Sequence, residues 1–120
     1  MFTFFSALIL PDFPRQVLVS CFPFNSIMYA LDVKHVDYFS LDVEGTELEI
    51  LETIDWKRLQ IDVLTIEYAV PGGGPASEVK LKKMRALFNS TNIYREVATI
   101  SNLDVVFERI KSGTNVKTAK

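Results

Sequence analysis

The chain has 120 residues, 48% of them apolar, and a formal net charge of −2. These values indicate one small globular domain and exclude the broad basic surface that a nucleic-acid-binding protein needs. The single cysteine, Cys21, excludes an internal disulfide framework and is predicted to be a small buried apolar residue.

The first quarter of the chain predicts short elements. Residues 1–10 are apolar but too short to span a bilayer, and they lack the basic start of a signal peptide. They predict a buried strand or helix, or the chance start of a truncated chain. A short strand is predicted over residues 16–21, and Asn25 or Ser26 is predicted to cap a helix over residues 27–31.

A strand, a helix and a second strand organise the middle of the chain. Residues 36–43 form a nearly continuous apolar run, which is typical of a strand covered on both faces in a parallel sheet. Thr46, followed three residues later by Glu49, predicts a capping box at the start of a helix. A second apolar run, over residues 61–66, predicts another strand. Two strands joined by one short helix predict a parallel, neighbouring pair.

Three carboxylates stand where these two strands end. Asp42 and Glu44 follow the first strand, and Glu67 ends the second. Because ligands of open α/β sheets bind outside the carboxyl ends of the strands, the three are expected to share one binding rim. They could orient a substrate, act as a general base or bind a hard cation. Individually, Glu44 and Glu47 can serve the helix dipole, and Asp42 can fix the turn.

The only histidine, His35, lies at the opposite end of the first strand and is predicted to be structural or exposed. No His/Cys cluster has the spacing of a metal site. A site formed by the carboxylates is therefore the one that the pattern favours.

A glycine-rich loop, residues 69–77, follows the second strand and predicts a flexible connection or a lid over the rim. Its spacing matches neither a P-loop nor the dinucleotide fingerprint. Ser77 is predicted to cap the next helix. That helix is predicted to bury an apolar stripe, Leu81, Met84, Leu87 and Phe88, and to expose a basic side, Lys80, Lys82, Lys83 and Arg85.

The last predicted elements are two strands, over residues 94–100 and 104–110, joined by a turn at residues 101–102. They are expected to pair antiparallel. Residues 1–112 are predicted to form a single partial domain, and residues 113–120 a disordered tail.

The segments VDYFSLDVEGTELEILETIDW and IDVLTIEY resemble the carboxyl-terminal half of FkbM-type methyltransferases. CFPFNSIMYAL and LDVVFERI are similar to segments of the animal, Star-like branch of that family. The likeness covers roughly residues 17–109, and its most specific part is residues 41–47. The resemblance implies an α/β fold with a doubly wound, Rossmann-like sheet that is mostly parallel and has an antiparallel closing hairpin. Residues 36–43 would be its fourth strand and residues 61–68 its fifth.

The resemblance also implies S-adenosylmethionine as cofactor, held mainly by a glycine-rich turn and an acidic residue after the first two strands. No such motif precedes residue 36, and Gly45 is the first glycine of the chain. A partial domain, the carboxyl-terminal half, is therefore expected, and this chain alone is not expected to bind the cofactor. With its fourth strand unpaired, the chain is expected to be poorly stable or to self-associate through the open sheet edge.

Two functions remain open. The resemblance implies methyl transfer to an unknown hydroxyl-bearing acceptor, with Asp42 orienting or deprotonating the hydroxyl, Glu44 shaping the loop and Glu67 lining the acceptor site. The alternative is a non-catalytic, Star-like protein in vesicle-mediated trafficking between endoplasmic reticulum, Golgi and endosome. The chain as given is expected in the cytoplasm, or in endomembranes if Star-like, where membrane association would depend on upstream sequence.

Overall fold

The computed structural model describes residues 20–110. In chain order this part contains α1 (Phe24–Ala30), β1 (His35–Leu41), α2 (Glu47–Thr53), β2 (Gln60–Glu67), α3 (Pro75–Thr91), β3 (Tyr94–Ile100) and β4 (Asp104–Arg109). The elements predicted over residues 1–10 and most of residues 16–21, and the predicted tail, lie outside the described residues. No helix between residues 20 and 110 has the length and apolar character needed to cross a membrane.

The four strands form one open, mixed sheet in the order β1-β2-β4-β3. β1 and β2 are parallel, with His35 opposite Gln60 and Leu41 opposite Ile66, so the predicted parallel pair is confirmed. β4 lies between β2 and β3 and is antiparallel to both. The fold is therefore α/β with a mixed sheet, and its closing hairpin is antiparallel as predicted.

The turn of this hairpin is at Ser101 and Asn102, as predicted. Both residues have positive φ, 52° and 55°, and the N–H of Leu103 donates to the carbonyl of Ile100 at 2.9 Å. This combination is a type I′ turn, whose twist matches that of the flanking strands.

One face of the sheet forms the core. Its strand residues are at most 5% exposed: Leu41, Leu64, Ile66, Val105 and Phe107. The register places Ile66 between Leu41 on β1 and Val105 on β4. α2 and α3 cover this face with fully buried side chains, among them Met84 and Phe88. The apolar stripe predicted for α3 is thereby confirmed.

Aromatic rings fill the part of the core beneath α3. The ring of Phe88 lies 4.2 Å from that of Phe107, and 5.3 Å and 5.2 Å from those of Trp56 and Tyr94. The Tyr94 hydroxyl accepts a hydrogen bond from the N–H of Ile61 at 3.3 Å, which satisfies the polar end of the buried side chain. These contacts fix α3 against β2, β3 and β4.

The prediction that both faces of β1 are covered is wrong for the described part of the chain. Tyr38 is 58% exposed and its partner across the strands, Val63, is half-buried. β1 is the terminal strand of the sheet formed by residues 20–110, and most of the buried strand residues lie on the other face; Ile61, at the start of β2, is the exception. Cys21, predicted to be buried, is half-buried.

The predicted start of α1 is wrong by several residues. The helix begins at Phe24 with Pro23 in the N-cap position, and no side chain caps it. Asn25 instead ties α1 to the end of α2: its amide nitrogen donates to the carbonyl of Thr53 at 2.5 Å, and its oxygen accepts from the N–H of Asp55 at 3.2 Å. A tertiary contact has displaced the local capping bond.

The predicted cap of α3 is also wrong. The helix begins at Pro75, with Gly74 as N-cap at φ 66°, because proline suits the first helical position and glycine accepts positive φ. Ser77 lies inside the first turn, where its hydroxyl accepts a hydrogen bond from the N–H of Val70 at 3.1 Å. That bond fastens the glycine loop to α3. The helix ends at Thr91, followed by Asn92 in the left-handed conformation.

Candidate functional site

The carboxyl ends of β1 and β2 bring acidic side chains together. Asp42 follows the last residue of β1, and Glu67 is the last residue of β2. Oxygens of Asp42, Glu47 and Glu67 all lie within 4.8 Å of one another. We call these three residues the acidic rim. The structure thus brings together two of the three residues singled out from the sequence, and adds Glu47.

The third predicted residue, Glu44, lies beside the acidic rim rather than in it. It is exposed, and it has φ 57° in the tight turn between β1 and α2. Gly45 follows with φ 126°, a conformation that glycine adopts without a steric cost. Glu44 therefore contributes charge near the rim and the geometry of the turn.

Glu47 is fully buried and organises this turn. Its Oε1 accepts hydrogen bonds from the N–H groups of Val43, at 3.0 Å, and Gly45, at 3.1 Å. The predicted capping box is wrong, since Thr46 occupies the N-cap position but makes no side-chain capping bond. The buried Glu47, rather than Glu49, reaches back to the free amides before the helix.

Lys80 completes the environment of Glu47. Its Nζ lies 2.5 Å from Glu47 Oε2, and the lysine is 8% exposed. The prediction that Lys80 belongs to the solvated side of α3 is wrong, whereas Lys82 and Lys83 are exposed as predicted. Lys80 precedes Met84 by four residues, so helical spacing places it on the buried stripe. That phase was the signal in the sequence, and the residue's charge obscured it.

Arg85, the remaining member of the predicted basic side, binds Glu96 of β3. Its Nε and a terminal nitrogen lie 2.7 Å and 2.8 Å from the two carboxylate oxygens. The Arg85 guanidinium is the main cause that holds the pKa of Glu96 below its usual value. This pair links α3 to the sheet away from the rim.

The surroundings of Glu67 and Glu47 shift the pKa values of these two rim carboxylates in opposite directions. Partial burial raises the pKa of Glu67, and the negative charges of Asp42, Glu44 and Glu47 raise it further. Burial also acts to raise the pKa of Glu47, but the Lys80 ammonium and the backbone N–H groups outweigh it, so that pKa lies below its usual value. Glu47 is therefore held ionised, whereas Glu67 binds a proton more readily than Glu47 does.

Carboxylate oxygens are the ligands that hard cations prefer, but the rim is poorly suited to one. The Lys80 ammonium already binds Glu47 Oε2, and its positive charge opposes a second cation. A separate group, His35, Asp37 and Asp62, lies at the opposite end of the strands, with His35 Nε2 at 3.3 Å from Asp62 Oδ1. The His35 side chain is 50% exposed, which confirms its predicted exposure.

Two open clefts adjoin the elements that carry the rim, although Asp42, Glu47 and Glu67 line neither of them. One, of about 590 Å³, begins at Tyr68 and runs between the glycine loop and the β3–β4 turn, where Ser77, Glu78 and Asn102 supply polar groups. The other, of about 210 Å³, lies between α2 and α3 and includes Gly45 and Lys80 in its lining. The larger cleft has the volume of a small-molecule site.

The glycine loop adopts a defined turn. The N–H of Gly73 donates to the carbonyl of Val70 at 2.8 Å, and the N–H groups of Tyr68 and Ala69 donate to the carbonyl of Leu103 at 2.9 Å and 3.2 Å. The loop is thus tied both to itself and to the hairpin, beside the larger cleft.

A family model described as "Methyltransferase FkbM domain" matches residues 5–110 of the chain. Comparisons with curated proteins and with solved structures gave no match. The matched range contains all the helices and strands of the described part, including both strands that form the rim.

Proposed function

The chain belongs to the FkbM methyltransferase domain family, and we propose on that basis that it supplies the acceptor side of an O-methyltransferase. The family is generally S-adenosylmethionine-dependent. One observation carries the proposal: Asp42 and Glu67 meet at the carboxyl ends of two parallel strands. That edge is where open α/β sheets bind their ligands.

In this proposal Glu67 is the general base. A raised pKa brings a carboxylate closer to the range in which a base works efficiently near neutral pH. Glu67 takes the proton of the acceptor hydroxyl, so the O–H bond breaks and its electron pair stays on the acceptor oxygen. Asp42 accepts a hydrogen bond from the same hydroxyl or a neighbouring one and orients it. Glu44 acts through the shape and charge of the turn.

The charge of the rim limits the class of acceptor. Asp42, Glu44 and Glu67 repel an anion, so the acceptor hydroxyl belongs to a neutral or cationic group. The cleft beside Tyr68 is large enough for a compact molecule such as a sugar unit, and Ser77, Glu78 and Asn102 offer it hydrogen bonds.

We also propose that the described sheet is part of a doubly wound sheet. Its order, β1-β2-β4-β3 with only β4 antiparallel, agrees with β1 as fourth strand, β2 as fifth and the hairpin as the last two. In such a sheet both faces are covered. The exposed Tyr38 would then be buried by further elements of the same fold.

The residues present between 20 and 110 do not fit the cofactor by themselves. A Cβ added to any of the three loop glycines, Gly72, Gly73 and Gly74, would meet no protein atom within 4 Å, so the loop is open to solvent, and its spacing does not match the dinucleotide fingerprint. No buried polar side-chain atom in this part is left without a partner to receive a ligand. The proposal therefore concerns proton transfer at the acceptor only.

The test is methyl transfer from labelled S-adenosylmethionine to a panel of sugars and small alcohols. It uses a version of the protein that includes any sequence encoded upstream of Met1. Glu67→Gln is expected to reduce turnover by about 10²–10⁴-fold, the usual contribution of a general base, and Asp42→Asn to reduce it as well. Asp37→Asn, an exposed residue at the other end of β1, is the matched control. Activity that survives in both rim variants would remove their catalytic roles.

A second proposal is a non-catalytic, Star-like role in trafficking, in which the fold serves as a scaffold. The given sequence has no glycine before Gly45 and thus no recognisable glycine-rich cofactor turn, which favours this role. Calorimetry with S-adenosylmethionine separates the two when it uses the version that includes any sequence encoded upstream of Met1: the methyltransferase proposal expects binding, and the scaffold role expects none. Micromolar binding by the 120-residue chain would contradict the expectation that the chain alone does not bind the cofactor.

A further inference from the structure

We propose that Glu47 and Lys80 are positioning residues of the acidic rim. Glu47 Oε1 holds the turn at residues 43–45, Lys80 keeps the buried Glu47 ionised through Oε2, and the turn holds Asp42 against Glu67. The inference rests on the proposed function, because it assigns these residues to the geometry of the acceptor site. Neither residue contacts the acceptor in this proposal.

The first step of the argument is the turn itself. Glu44 has φ 57°, a left-handed conformation that costs energy for any residue except glycine and persists only where surrounding contacts enforce it. The enforcing contacts are the N–H groups on either side of it: Val43 and Gly45 both donate to Glu47 Oε1. One carboxylate oxygen thus clamps both flanks of the strained residue.

The second step is the ionisation of Glu47. An ionised carboxylate offers acceptor sites on both oxygens, whereas protonation would turn one oxygen into a donor. Lys80 keeps the carboxylate ionised although it is fully buried. Without the ammonium, burial would favour the protonated form, in which one of the two oxygens is a donor.

The third step is that Lys80 itself is held in a fixed position. Lys80 lies on the same face of α3 as Met84 and Phe88, which are fully buried in the core. The ammonium is therefore fixed relative to β2 and β4 by the packing of the helix. It connects the core to Glu47, which lies 33 residues earlier in the chain and holds the turn.

The experiment compares two neutral replacements of Glu47 in the full chain, both with Lys80→Met. In Glu47→Gln with Lys80→Met, the side-chain oxygen still accepts from Val43 and Gly45. In Glu47→Met with Lys80→Met, no acceptor remains. Both lack the ion pair and both lack the charge of Glu47, so the acceptor alone distinguishes them.

Two NMR measurements test whether the turn and Asp42 keep their positions. Amide hydrogen exchange at Val43 and Gly45 is expected to be near the wild-type rate in the glutamine variant, and faster by about tenfold or more in the methionine variant. The pKa of Glu67, from the titration of its side-chain carboxyl carbon, is expected to fall further in the methionine variant, because Asp42 is no longer held beside it. Lys83→Met, on the exposed side of α3, is expected to change neither.

Equal exchange rates and an equal Glu67 pKa in the two variants would overturn the proposal. If the methionine variant does not fold, wild type is compared with Glu47→Asp, whose shorter side chain keeps the charge but withdraws the acceptor from Val43 and Gly45; faster exchange at both is expected, and unchanged exchange would overturn the proposal. Neither measurement uses turnover. A catalytically inert rim would therefore contradict the proposed function without affecting this result.

Discussion

Lys80→Met is expected to lower the free energy of unfolding by about 3–5 kcal/mol at about pH 7, because it leaves a buried carboxylate without its counter-charge. The structure sets this magnitude: Glu47 is 0% exposed, and Lys80 Nζ lies 2.5 Å from its Oε2. Domains of this size have a total stability of about 5–15 kcal/mol, so the loss is a large part of the whole.

Replacing both partners by methionine is expected to cost less than replacing Lys80 alone. No buried charge remains in the double variant, and the loss is limited to the two hydrogen bonds from Val43 and Gly45, at about 0.5–1.5 kcal/mol each. Two apolar side chains of similar length can also pack in place of the ion pair.

The effect of Lys80→Met is expected to depend on pH in a definite direction. In the wild type the pKa of Glu47 is lowered by folding, so its stabilisation is present above the ordinary value of 4.5 and is lost as pH falls through the folded pKa. In the variant burial raises that pKa, so a penalty arises as pH increases. The two proteins therefore differ most near neutral pH and least in acid.

Urea unfolding followed by the fluorescence of Trp56 measures these differences at about pH 7 and about pH 4. Trp56 is the only tryptophan, and its ring lies 5.3 Å from those of Phe88 and Tyr94, so it reports on the core. Lys83→Met is the control and is expected to stay within about 0.5 kcal/mol of wild type. A loss below about 1 kcal/mol for Lys80→Met at neutral pH, or a double variant less stable than the single one, would refute the reasoning.

Two further predictions concern the framework of the site. Phe88→Ala is expected to lower the free energy of unfolding by about 3–5 kcal/mol, since its fully buried ring contacts three other aromatic rings. Val79→Ala, on the exposed side of the same helix, should lower it by less than about 1 kcal/mol. Equal losses of stability in urea unfolding would contradict the packing. Asn102→Val is expected to lower the free energy of unfolding by about 1–2 kcal/mol, because the turn requires positive φ at this residue. Asn102→Gly should change it by less than about 1 kcal/mol. Thermal unfolding in which the valine variant is the more stable of the two would exclude the type I′ turn.

The order and type of the elements could be predicted from the sequence because apolar spacing reflects burial directly. The run that became β2 and the stripe of Met84 and Phe88 on α3 are both in the core. The same spacing cannot say how many faces of a strand are covered, since that depends on neighbouring elements. Tyr38 belongs to an apolar run and is nevertheless 58% exposed.

The helix starts could not be predicted because tertiary contacts replaced the local rules. Asn25 bonds to the end of α2, and Ser77 bonds to Val70, so neither serves as the expected cap. At α2 the local pattern selects Glu49, three residues after Thr46. The structure uses Glu47 instead, because a lysine 33 residues away provides the charge that makes its burial tolerable.

Only part of the acidic rim could be predicted from the sequence, because the rest depends on tertiary contacts. Asp42 and Glu67 follow from strand ends and parallel pairing, which the sequence pattern contains. The contribution of Glu47 and Lys80 depends on where α3 packs. The charge of Lys80 favours a solvated position, whereas its spacing from Met84 favours a buried one. A lysine four residues from a core methionine lies on the same face of the helix, so its position indicates burial as strongly as its charge indicates exposure.

The division of charge within the rim bears on the chemistry that the site can perform. Two carboxylates whose pKa values are pushed apart by their surroundings can take different roles at one pH. Glu47 is kept ionised by Lys80 and two backbone N–H groups, so its oxygens are engaged and it cannot serve as a proton acceptor for a ligand. Burial is the main cause that raises the pKa of Glu67, and the charges of Asp42, Glu44 and Glu47 add to it. The buried pair therefore does two things for the proposed acceptor site: it places Asp42, and it keeps Glu47 engaged so that Glu67, rather than Glu47, is available to take a proton.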